Sequence, residues 1–102
     1  MTIAELPISI DRQELANFCR ERGIRKLSLF GSVLRNDFSP GSDVDVLIEF
    51  QPGQAPGLAF FGYGDQLGNL IGHKVDLSTP AFLSKYFRDD VLRQAVTIYE
   101  QA

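Results

Sequence analysis

The run Asp43-Val44-Asp45-Val46-Leu47-Ile48-Glu49-Phe50 leaves the backbone little choice. Val44, Val46, Ile48 and Phe50 recur with period two, which gathers them on one side of an extended strand. The same alternation sends the carboxylates of Asp43 and Asp45 to the other side, about 6–7 Å apart along the chain. A chain built around this segment needs a sheet with one apolar face, and it has to accommodate two neighbouring anions on the opposite face. Such a pair is repulsive unless a cation holds it.

The flanking sequence fits a small sheet with helices. Asp11 to Arg22 carries Leu15, Phe18 and Cys19 at helical spacing, and Asp11 with Glu14 reads as a capping box stopped by Gly23. Arg25 to Phe30 reads as a strand broken by Gly31, and His73 to Leu77 as another, with Val75 and Leu77 opposite Lys74 and Asp76. Between them, Gln51 to Gly57 is a Pro- and Gly-rich loop. Leu58 to Ile71 reads as a helix weakened by Gly62, Gly64 and Gly68, each costing about 1 kcal/mol of propensity. Ser78-Thr79-Pro80 reads as a cap followed by Pro at the first helical position, Lys85 to Ala95 is expected to form an amphipathic helix, and Val96 to Tyr99 to close as a short strand. The expected fold class is α/β: a small mixed β-sheet flanked by helices, in one domain spanning residues 1–102.

Composition narrows the function classes. At 102 residues there is room for one core, burying roughly 60–65% of the unfolded surface. A single cysteine, Cys19, gives no disulfide framework, and no basic start followed by an apolar run marks a secretory leader, so a cytoplasmic location is expected. Apolar stretches fall short of the roughly 20 residues of a membrane span. Thirteen acids against ten bases argue against direct, sequence-independent nucleic-acid binding.

The segment Leu29-Phe30-Gly31-Ser32-Val33-Leu34-Arg35-Asn36-Asp37-Phe38-Ser39-Pro40-Gly41-Ser42-Asp43-Val44-Asp45 departs from simple fold-making. A strand running into Gly31-Ser32 and a short helix offers free backbone N–H groups and a hydroxyl to an anion, and a phosphate suits that geometry. Asp43 and Asp45 supply hard oxygen ligands of the kind Mg²⁺ uses together with substrate phosphates. If the strand carrying Asp76 lies beside the strand carrying Asp45, three carboxylates converge. Such a trio can bridge two metal ions in an in-line displacement at phosphorus.

Gly31-Ser32, ten residues, Asp43-Val44-Asp45 and then a lone acid in the next strand resemble the nucleotidyltransferase superfamily related to DNA polymerase beta. With Arg35, Asp37, Ser42 and Glu49-Phe50 also in place, the chain looks like the minimal nucleotidyltransferases that act as antitoxins beside HEPN-domain toxins. The match runs from the first helix to Asp90-Val91-Leu92-Arg93-Gln94-Ala95. The resemblance implies Gly31 and Ser32 on the β- and γ-phosphates of ATP, with Arg35 on a phosphate or paired with Asp37. It also implies Asp43 and Asp45 as ligands of two Mg²⁺ ions, and Asp76 as a metal ligand that takes the proton from the attacking hydroxyl. Asn36 stands where relatives often have glycine, and asparagine tolerates a left-handed turn.

The implied activity is Mg²⁺-dependent transfer of AMP from ATP to a hydroxyl, a tyrosine by the resemblance, of a partner HEPN-type toxin in a hetero-oligomer. With no acceptor-gripping lobe expected after the third acid, the acceptor is expected to be presented by another protein. The competing expectation is an antitoxin of the same fold acting by tight binding alone; a small-molecule-modifying transferase ranks third, since it needs that missing lobe. Among the remaining candidates His73 reads as a surface or packing residue, Cys19 as a small core residue, Arg20, Arg22, Arg25 and Lys26 as a solvated helix end, and Tyr63, Tyr86 and Tyr99 as packing or surface. Setting Asp43, Asp45 and Asp76 aside leaves acids and bases balanced, which places the net negative charge in the site.

Overall fold

Residues 6–35, 38–39, 41–54 and 56–101 are described by the computed structural model. Helix α1 (Arg12–Glu21) starts where Asp11 Oδ1 accepts the backbone N–H groups of Gln13 and Glu14, each at 3.0 Å. That contact is the Asp11 half of the expected capping box. Gly23, at φ +67°, turns the chain into strand β1 (Ile24–Phe30). Strand β2 (Val44–Phe50), helix α2 (Phe60–Ile71), strand β3 (Val75–Ser78), helix α3 (Arg88–Gln94) and strand β4 (Val96–Glu100) follow.

The strands form one sheet in the order β3-β2-β1-β4. β1 runs antiparallel to β2 and β4, while β2 and β3 run parallel, joined through α2. The expected mixed sheet is what forms, because a parallel neighbour needs a crossover and α2 supplies it. Val44, Val46 and Ile48 of β2 and Leu27 and Leu29 of β1 are completely buried beneath α1 and α2. The apolar face is therefore the face that the period-two pattern assigns to the core.

Several boundaries differ from expectation. The turn at Gly57–Ala59 is a 3₁₀ turn, and α2 proper starts at Phe60. β3 starts at Val75 rather than His73 and extends to Ser78. Thr79 precedes a 3₁₀ turn at Pro80–Phe82 without a side-chain cap. The expected helix from Lys85 contracts to the seven residues of α3, which has no buried residue. Without an apolar stripe to bury, only a short helix is stabilised. No described helix is long and apolar enough to cross a membrane.

One glycine of α2 has a packing reason. A Cβ on Gly68 would lie 2.8 Å from the His73 carbonyl oxygen, whereas one on Gly64 would make only an ordinary contact, 3.7 Å from that of Val75. The bare Cα of Gly68 lets the helix settle against the backbone that leads into β3. Gly68→Ala is expected to destabilise the fold by about 1–3 kcal/mol despite alanine's better helix propensity. Urea unfolding of the variant measures this directly.

Candidate active site

The parallel register sets Asp45 directly opposite Asp76, with Val44 opposite Val75. Adjacent residues of paired strands share a face, so the carboxylates of both stand on the side of the sheet away from α1 and α2. Asp43 precedes β2 on that same side. A hydrogen bond from the Val44 N–H to the Lys74 carbonyl, 2.8 Å, carries the pairing to this end of the sheet. The hairpin-like approach to Asp43 is fixed by a small serine cluster: the Ser39 N–H donates to Ser42 Oγ at 3.2 Å, and the Ser42 N–H to the Ser39 carbonyl at 2.9 Å.

On the other flank of β2, β1 ends with Phe30 opposite Asp45 and turns at Gly31. Gly31 sits at φ +76°, and a Cβ there would overlap Oδ2 of Asp45. Glycine is needed twice, for the left-handed backbone and for the space occupied by a carboxylate. The residues that follow form a single 3₁₀ turn, Gly31–Leu34, in place of the expected short helix. Any anion here meets individual backbone N–H groups and the Ser32 hydroxyl rather than a long helix dipole. Ser32 Oγ donates to the Asp43 carbonyl at 3.5 Å, the outer limit of a hydrogen bond, which keeps the hydroxyl beside the acids and free to take a stronger acceptor.

Asp45 is half-buried while Asp43 and Asp76 are exposed. Burial raises the Asp45 carboxyl above its ordinary value, the charges of Asp76 and Asp43 raise it further, and Arg35 opposes them. Among the described residues no ion pair reaches any of the three acids. The folded state thus holds the Asp45 proton more tightly than the unfolded chain does. Its contribution is favourable at low pH and is lost as pH rises through the raised value. In metal-free buffer Asp45→Asn is expected to raise the unfolding temperature by about 2–4 °C at neutral pH, with the advantage vanishing near pH 4; thermal scans across pH test this.

Asp43, Asp45, Asp76, Gly31 and Ser32 are brought to one end of the sheet, and Arg35 acts on Asp45 from the exposed end of the 3₁₀ turn. The alternative pairing of Arg35 with Asp37 and the turn at Asn36 lie outside the described residues. His73 packs its ring on Phe38, centroids 5.4 Å apart, and Tyr63 stacks edge-on to Phe18. Cys19 is fully buried with its thiol pushed up to about 12 by burial, so it is inert. Arg22 lies over Phe18, its guanidinium carbon 3.9 Å from the ring centre, and donates to Gln66 at 2.8 Å, while Arg25 pairs with Glu49 at 2.9 Å. Arg22 and Arg25 are thus held against side chains distant in sequence, and Arg20 donates to Asn17 one turn back. Sequence reasoning missed that the end of α3 and the start of β4 border Gly31: Gln94 and Val96 line a cavity with it. Only the antiparallel β1–β4 register brings those distant residues together.

Among the described residues no three acidic, histidine or cysteine side chains close into a protein-only metal cage. The donor set is open: hard carboxylate oxygens on a strand pair, with the remaining positions facing solvent. Residues 12–98 match the nucleotidyltransferase domain. The chain belongs to that family. A relative of this nucleotidyltransferase domain, the protein adenylyltransferase MntA of Thermococcus cleftensis, is 36% identical over 81 residues, covering 78% of this chain and 80% of the relative. Among solved structures, a toxin–antitoxin complex with AMP-PNP superposes with a TM-score of 0.69 at 17% identity, covering 90% of this chain and 75% of that one. The complex of tri-AMPylated Shewanella oneidensis HEPN toxin with its antitoxin gives 0.61 at 16% identity, covering 88% and 70%. These two likenesses concern the fold of the nucleotidyltransferase domain.

Proposed function

We propose that this chain is an antitoxin that transfers AMP from ATP to a hydroxyl side chain, a tyrosine, of a HEPN-type partner toxin. The observation that carries the reading is the register that sets Asp45 opposite Asp76, with the Asp45 carboxylate against Gly31; among the described residues neither acid has an ion-pair partner. Relatives named for protein adenylyl transfer, and neighbours of like fold solved with AMP-PNP and with an AMPylated toxin, support it. Exposed Phe61 and Phe82, which line an apolar groove of about 280 Å³ with Phe50 and Phe60, together with exposed Leu58 support a protein rather than a small molecule as acceptor.

In this reading Asp43, Asp45 and Asp76 are the residues that would hold two Mg²⁺ ions, and those ions would supply positive charge to offset the charge that develops in phosphoryl transfer. An open carboxylate set suits that ion, which keeps water and substrate oxygens in its shell. Backbone N–H groups at Gly31 and Ser32, the Ser32 hydroxyl and the Arg35 guanidinium bind the β- and γ-phosphates. Asp76, on the exposed strand, accepts the proton of the acceptor hydroxyl. A bond forms from that oxygen to the α-phosphorus, the bond from the α-phosphorus to the bridging oxygen breaks, and pyrophosphate departs with the electron pair.

The second reading is neutralisation by binding alone, favoured by the same exposed apolar groove. The two separate in an inhibition assay of the partner toxin with and without ATP and Mg²⁺. Neutralisation that needs ATP and persists after the antitoxin is removed supports transfer. Full neutralisation without nucleotide, lost on removal of the antitoxin, supports binding.

A further inference from the structure

The sheet gives the displacement a direction. At the active end the strands run in the order Asp76 on β3, Asp45 on β2, then Phe30 and Gly31 closing β1, and β4 beyond. In an in-line displacement the attacking and leaving oxygens lie on opposite sides of the phosphorus. With the α-phosphorus above Asp45 and the acceptor entering beside Asp76, the leaving group points across Gly31 towards β4.

A cavity of about 300 Å³ lies there, lined by Gly31, Leu34, Arg35, Gln94 and Val96. Leu29 pairs with Val96, so continuing the antiparallel register past that pair brings Gln94 level with Gly31. The lining holds one cation, one neutral amide and no carboxylate, although Asp45 and Asp76 stand on neighbouring strands and Asp43 just before β2. A polyanion is accommodated by a lining of this charge. Leu34 and Val96 supply apolar walls, which strengthen hydrogen bonds made between them.

We propose that the Gln94 side-chain amide, which shares this cavity with Gly31 and Arg35, is a further donor to the terminal phosphates and to the pyrophosphate they become, an inference that rests on the adenylyl-transfer reading above. Gln94 is exposed at the end of α3, so its replacement leaves the core untouched. It is a binding and positioning residue, and its effect is confined to ligands that carry the terminal phosphates.

The test is calorimetric titration of the full chain with pyrophosphate, ATP and AMP in Mg²⁺ buffer, for the wild type, Gln94→Leu and Gln94→Glu, with circular dichroism confirming the fold. Gln94→Leu is expected to weaken ATP and pyrophosphate about tenfold and leave AMP unchanged. Gln94→Glu, which places an anion in the cavity, is expected to weaken both further. Pyrophosphate affinity equal in all three proteins, or AMP weakened as much as ATP, overturns the assignment. A wild type that binds ATP but not pyrophosphate also overturns it. A wild type that binds no nucleotide overturns the adenylyl-transfer reading itself, and the cavity assignment with it.

Discussion

Asp43→Asn combined with Asp45→Asn is expected to lower adenylyl transfer by on the order of 10³-fold or more, while the variant still folds and still co-purifies with its partner. Both side chains leave the sheet on the face opposite the core, so amide replacements remove charge without disturbing the buried Val44, Val46 and Ile48. The fold becomes slightly more stable, because Asp45 no longer carries a half-buried charge beside Asp43 and Asp76. Loss of activity with a gain in unfolding temperature is a signature that damage to the core cannot mimic. Transfer rates from labelled ATP, alongside thermal scans, read both.

Gly31→Ala is expected to cost about 2–4 kcal/mol of stability and to abolish transfer. The left-handed backbone at φ +76° contributes about 1–2 kcal/mol of that for a residue with a Cβ. The overlap of the new methyl with Asp45 Oδ2 contributes the rest and pushes the carboxylate off the face it shares with Asp76. Combining Gly31→Ala with Asp45→Ala separates the two causes in a double-mutant cycle. The overlap cost is recovered and the backbone cost is not. Denaturant unfolding of the four proteins gives the coupling energy; strict additivity contradicts the contact.

The fold was readable where one face of an element is buried. Val44 to Phe50 forms a strand with the bounds that its alternation indicates, since any one-residue slip would expose Val44, Val46 and Ile48. Helix α1 was readable from Asp11 and the Leu15, Phe18 and Cys19 spacing for the same reason. The segment from Lys85 to Ala95 was misread in length because Tyr86, Phe87 and Leu92 stay exposed, so local pattern had no packing behind it. The glycines of α2 looked like defects in a helix; the use of Gly68 against the His73 carbonyl depends on where the chain enters β3.

The candidate site was legible to the same extent. Asp43 and Asp45 share a face by local geometry alone, whereas Asp76 joins them only through the parallel pairing of β2 with β3, a contact across thirty-one residues of chain that sequence spacing leaves open. The second demand on Gly31, room for the Asp45 carboxylate, is a tertiary fact. So is the approach of Gln94 and Val96 to the same glycine through β4.

The most direct measurement is intact-mass analysis of the partner toxin after incubation with the wild-type chain, ATP and Mg²⁺, followed by peptide mapping of the modified residue. The account predicts a partner heavier by one or more adenylyl groups, carried on a tyrosine hydroxyl, with an equivalent amount of pyrophosphate released and no adduct formed by the Asp43→Asn/Asp45→Asn variant. A partner that is fully neutralised yet unchanged in mass, or one modified equally by that variant, contradicts it.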